Sequence, residues 1–138
     1  MRVFYIFKIK KPYVILTKNN PYHLYKTIER MYYLNANELK SGNNIFENLS
    51  GTFNKDILNT NVYSYYKGKD TYTKFKNIHT IIDYFTKEKS RLTINSSYLL
   101  IQSTEEIPTF FKVLSKNKGD IFVCDFQNKD YFWLDRIA

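Results

Sequence analysis

Residues 103–137, STEEIPTFFKVLSKNKGDIFVCDFQNKDYFWLDRI, decide the fold. Ile107, Phe110, Phe111 and Leu114 recur at i, i+3, i+4 and i+7, which places them on one face of a helix. Ser103, Thr104, Glu105 and Glu106 fit a capping box that would start this helix at 103. Pro108 fits a later start equally well, with the ring near the first helical position, where a missing N–H costs nothing. Gly119 suits the left-handed exit after a helix. Residues 121–126 form an apolar run broken only by Asp125, and 127–130 are turn chemistry before a second strand at 131–134. A helix and a hairpin this aromatic need a sheet to complete their core.

The upstream chain supplies candidate strands. Residues 2–10 alternate, with Val3, Tyr5, Phe7 and Ile9 on one face and Phe4, Ile6, Lys8 and Lys10 on the other. The first half is apolar on both faces, as expected of a strand inside a sheet. Pro12 is expected to end or kink it, with 13–16 as an extended continuation. Asn20 and Pro21 read as N-cap and first residue of a helix carrying Leu24, Ile28 and Met31, ending near Leu34. A second helix, capped by Asn35 or Asn37, is expected to run toward Asn48, weakened at Gly42. No pattern emerges over 51–61. Residues 61–66 and 72–75 look extended around the lysine-flanked turn at 67–70. Ile78, Ile81, Ile82 and Phe85 return to helical spacing, with Asn77 as a cap. Residues 91–94 and 98–102 read as strands joined by a turn at 95–97. Helices mixed with hairpins give an α+β class, one domain over 1–138, an antiparallel or mixed sheet and about four helices.

Composition narrows function. The chain has 138 residues, 18% of them aromatic, with 13 Tyr and 11 Phe, and a formal net charge of +8. That balance favours nucleic acid, anionic lipid or an acidic protein as partner. Part of the Lys, Asn, Ile and Tyr bias is what AT-rich codons give. A lone Cys124 excludes an internal disulfide and reads as a small buried hydrophobe. Neither a signal peptide nor a spanning helix is expected, so the protein is read as cytoplasmic.

Catalytic and cofactor chemistry find no support. His23 and His79 lack ligand partners at metal spacing, and no phosphate-cradling or nucleophile motif occurs, so neither metal nor cofactor is expected. Asp83 reads as a solvated carboxylate. Asp125 interrupts an apolar strand and needs hydrogen-bond donors at the hairpin end. Residues 61–76 interleave Tyr63, Tyr65, Tyr66, Tyr72 and Phe75 with Lys67, Lys69, Lys74 and Lys76, the mixture that single-strand nucleic-acid binders use. A small basic nucleic-acid-binding protein is therefore one reading, and an amphipathic hairpin is its structural counterpart. Tyr13, just past Lys10, Lys11 and Pro12, either anchors a partner or packs onto the first helix.

Residues 108–137 resemble the end of the bacterial SirA family, the sporulation inhibitor of replication. The likeness rests on Phe110-Phe111, Asp125-Phe126, Asn128-Lys129, Tyr131 and Trp133-Leu134. A looser match covers Phe4-Tyr5, Phe7, Ile9-Lys10 and Tyr13. The resemblance implies a non-enzymatic regulator that binds the N-terminal domain of the replication initiator DnaA and stops it loading at the origin. It implies contact through Tyr13, with Lys10 and Lys11 steering encounter, and through a polar position on the second helix that falls near Asn44. Where the family carries a second aromatic, this chain has Thr17.

Overall fold

The computed structural model describes residues 1–33, 49–117 and 119–137. One seven-stranded antiparallel sheet organises them, in the order β2-β3-β4-β5-β1-β6-β7. The strands are β1 (Arg2–Ile9), β2 (Tyr72–Phe75), β3 (Ile78–Asp83), β4 (Glu88–Ile94), β5 (Leu99–Ser103), β6 (Asp120–Asp125) and β7 (Asp130–Trp133). Four α-helices accompany them among the described residues: α1 (Lys11–Thr17), α2 (Pro21–Tyr32), α3 (Lys55–Tyr66) and α4 (Phe110–Leu114). The α+β class is as expected, and the sheet is antiparallel.

The doubly apolar start of β1 explains its place. It lies between β5 and β6, with Phe4 and Ile6 buried on one side and Phe7 and Ile9 on the other. Helices α3 and α4 cover the first side. Leu58, Val62, Tyr66, Phe110, Phe111 and Leu114 pack there on Leu92, Leu99 and Ile101. On the second side, α1 and α2 pack Val14, Leu24, Tyr25 and Ile28 against Phe122, Cys124 and Trp133. Each such side chain removed from water contributes roughly 1.5–3 kcal/mol. The paired Phe110 and Phe111, with Phe126 and Trp133, are core residues.

Several sequence expectations are corrected. Residues 11–17 are helical: Pro12 sits in the first turn of α1 and starts a helix where it was expected to end or kink a strand that continued extended over 13–16. Residues 61–66 belong to α3, capped by the Asn54 side chain, which accepts from Ile57 N–H at 3.1 Å. Ile78, Ile81 and Ile82 lie in β3, and Phe85 in the turn after it. Helix α4 takes the later start allowed by Pro108, and Ser103 belongs to β5. The Asn20 cap and Pro21 start of α2 are as expected, with Asn20 accepting from His23 N–H. The second helix expected over 35–48 lies outside the described residues.

Candidate partner interface

The chain leaves β1 at Ile9 and turns into α1 beside residues 49–51. Lys10 N–H donates to the Leu49 carbonyl at 2.8 Å, and Gly51 N–H to the Lys8 carbonyl at 2.6 Å. Lys10 has extended backbone geometry, and its carbonyl accepts from the N–H groups of Tyr13 and Val14, which starts the helix. Val14 and Thr17 then face the sheet and are buried, while Ile15 and Leu16 are 78% and 74% exposed. Two adjacent bare aliphatics on a short helix are unusual for a surface that touches only water.

Lys18 fastens the end of this helix. Its ammonium lies 3.0 Å from Asp120 and 2.9 Å from Asp135, and 4.4 Å from the centre of the buried Trp133 ring. Helix α1 is thereby held against β6 and the C-terminal turn. Between α1 and α2 lies a groove of about 490 Å³, lined by Tyr13, Leu16, Thr17, His23, Leu24, Thr27 and Leu49.

The sequence-derived positions distribute unequally over this surface. Tyr13 and Thr17 both line the groove. Tyr13 is half-buried and packs against the second core cluster. Thr17 is buried and donates its hydroxyl to the Tyr13 carbonyl. Lys10 and Lys11 are exposed at the start of α1. Asn44 lies outside the described residues. Ile15 and Leu16 were missed, because an extended reading of 13–16 sends them to opposite faces and leaves Leu16 away from Tyr13. Val14 and Thr17 at i, i+3 behind a first-turn proline were the available signal.

The other candidates are structural. Asp125 has a fully buried side chain and accepts from Arg2 Nε at 3.0 Å, Asn128 N–H at 3.2 Å and Asn128 Nδ2 at 2.7 Å. Burial pushes its carboxyl up, but the Asn128 and Arg2 bonds outweigh that and hold it below the usual aspartate range. His79 is wholly buried between the Tyr72 hydroxyl and Asn59 Oδ1, each at 2.7 Å. Burial, with help from Lys74, lowers it to about 4. Burial likewise raises the Cys124 thiol well above its usual value. Asp83 accepts from the N–H groups of Phe85 and Thr86 and so shapes the β3–β4 turn. Within 61–76, Tyr66 and Tyr72 are core residues, so that stretch is not one aromatic surface. No group of three or more metal-ligating side chains occurs among the described residues, and no described helix is long and apolar enough to cross a membrane.

Comparison with known families decides the membership. The profile described as sporulation inhibitor of replication protein SirA matches residues 22–138. The chain belongs to the SirA family. The match takes in α2 from its second residue and every described element after it, including the Phe110-Phe111 and Trp133-Leu134 positions. Helix α1, with Lys10, Lys11, Tyr13 and Thr17, lies before the first matched residue. No match was found among curated proteins. Membership of the SirA family identifies a regulator of the sporulation replication-inhibitor kind.

Proposed function

We propose that this protein restrains chromosome replication by binding the N-terminal domain of the initiator DnaA through the α1–α2 surface, in the cytoplasm and without catalysis. One observation carries the reading. A helix fastened to the sheet by Lys18 turns Ile15 and Leu16 outward beside a groove bordered by Tyr13 and Thr17. An apolar knob on the partner would fill the groove, and the exposed aliphatics would surround it. Lys10 and Lys11 would raise the encounter rate with an acidic partner surface. Inhibition would follow from occlusion: the occupied initiator domain could not use the same face to self-associate or to dock a helicase.

The test is direct. The purified chain is titrated into the purified N-terminal domain of its own organism's initiator by calorimetry. A saturable one-to-one complex is expected. No heat and no co-elution at tens of micromolar would remove the reading.

A further inference from the structure

The outer face of β2–β4 points to a second binding activity. Cross-strand pairing lines up Phe75, Ile78 and Thr93, then Thr73, Thr80 and Arg91, then Ile82 and Lys89. Paired residues share a face, so these side chains form one surface opposite the buried His79, Ile81 and Leu92. Phe75 is 69% exposed, and the Lys76 ammonium lies 5.5 Å from its ring centre. At the far end of β3, Tyr84 and Phe85 are 87% and 100% exposed. The Asp83 carboxylate holds the turn that presents them, accepting from Phe85 N–H at 2.9 Å.

Charge adds to the rings. Residues 67–93 carry seven Lys and Arg against three Asp and Glu, half of the chain's net charge of +8. Of the three acids, Glu88 is buried and Asp83 is engaged by the turn. Within β2–β4 the carboxylates Asp83 and Glu88 pair with each other on the opposite face from Lys89 and Arg91. Strand rise puts about 20 Å between Phe75 and the Tyr84 turn. A single strand stacked at about 3.4 Å per nucleotide crosses that in about six nucleotides, within the range such binders use.

We propose that the β2–β4 face binds single-stranded nucleic acid, stacking bases on Phe75 and on the Tyr84-Phe85 turn while Lys89 and Arg91 neutralise the intervening phosphates. Alternating hydroxyl, cationic and aromatic side chains on a sheet suit a threaded strand better than a lipid surface, which takes a continuous apolar patch. The site is separate from the α1–α2 groove and does not depend on it.

Fluorescence anisotropy of labelled oligo-dT, titrated with the full chain across a salt series, tests this. Saturable binding that weakens with salt is expected, together with weaker binding to a duplex of equal length. Phe75→Ala and Phe85→Ala should each weaken binding about fivefold or more. Arg91→Gln should flatten the salt slope by about 0.7. These side chains are exposed, so circular dichroism melts should not move. Absence of binding at low salt and 100-fold excess protein over probe, at about 100 μM, overturns the proposal. Equal affinity for the duplex, or ring variants that bind like the parent, also overturns it. Sedimentation with phosphatidylserine vesicles in place of oligonucleotide binding replaces it with a membrane surface.

Discussion

Arg2 and Asp125 stand 123 residues apart in sequence and 3.0 Å apart in the fold. The pair ties the start of β1 to the end of β6, and Asp130 at the start of β7 takes the other arm of the guanidinium at 3.1 Å. A carboxylate that interrupts an apolar strand is thereby satisfied by one cation and by the hairpin turn.

Asp125→Ala should destabilise the protein by about 2–3 kcal/mol, since Arg2 and Asn128 lose a buried acceptor. The sign of the pH dependence follows from the lowered carboxyl. The contribution is present above the unfolded aspartate value of about 4. It is lost as pH falls through the folded value, because the unfolded chain takes the proton first. Urea unfolding at pH 7 and pH 3 measures both. Asp125→Asn should show less acid loss than the parent, and an unchanged acid loss would refute this account.

His79 predicts a second, higher window. Its Nε2 faces Asn59 Oδ1, an acceptor, so Nε2 carries the proton and Nδ1 accepts from the Tyr72 hydroxyl. The ring is neutral, with its value lowered to about 4 by burial and by Lys74. The unfolded histidine titrates near 6.5. Stability is therefore full above about 6.5 and falls toward pH 4, by a total on the order of 2–3 kcal/mol. Between pH 6.5 and 5 few carboxylates titrate, so His79→Gln should flatten the stability curve there. A curve of unchanged slope would show that His79 is not its source.

His79 also shows why part of the fold was illegible. Ile78, Ile81, Ile82 and Phe85 fit helical spacing, yet His79 and Ile81 are buried while Ile82 and Phe85 are exposed, as a strand and its turn require. A short apolar set satisfies both periods, and its β-branched character was the better guide. Helix α3 hid for the opposite reason. Its buried stripe, Leu58, Val62 and Tyr66, is one residue wide, so it reads as no pattern. The terminal block was legible because Phe110-Phe111 and residues 121–126 are buried almost without interruption. The groove was half legible: Tyr13 stood out as an aromatic, but Ile15 and Leu16 become a surface only once 11–17 is a helix.

Glu88 supports a third prediction, one that no local motif announced. It is buried, accepts from Thr109 N–H at 3.0 Å, and also bonds the Thr109 and Ser90 hydroxyls. The N-terminus of α4 is thus held by a carboxylate from β4, while Ser103, the cap under the earlier of the two starts the sequence allowed, accepts from Glu105 N–H instead. Glu88→Ala should cost about 2–3 kcal/mol, the price of orphaned buried donors. Glu105→Ala should stay within about 0.5 kcal/mol, as among the described residues its side chain bonds only the exposed Thr104 hydroxyl. Thermal melts of the two variants compare them, and equal losses would contradict the assignment of the cap.

The proposed initiator contact needs variants that separate binding from folding. Tyr13→Ala does not do so, because the ring packs on the second core cluster and its loss will lower stability as well as affinity. Thr17 is no better, being buried with its hydroxyl on the Tyr13 carbonyl. Ile15 and Leu16 face outward and do separate the two effects. Ile15→Asp and Leu16→Asp should leave the melting temperature within a few degrees of the parent, the scale of about 0.5 kcal/mol. If the α1 surface is the contact, each should weaken binding of the initiator domain by about 2 kcal/mol, roughly thirtyfold. Lys10→Ala with Lys11→Ala should mainly slow association, and the effect should fade with added salt. Phe75→Ala, on the same face of the sheet but at its β2 edge, should leave this affinity unchanged. An initiator complex that tolerates both aspartates but fails with Phe75→Ala would move the contact from α1 to the β2–β4 face.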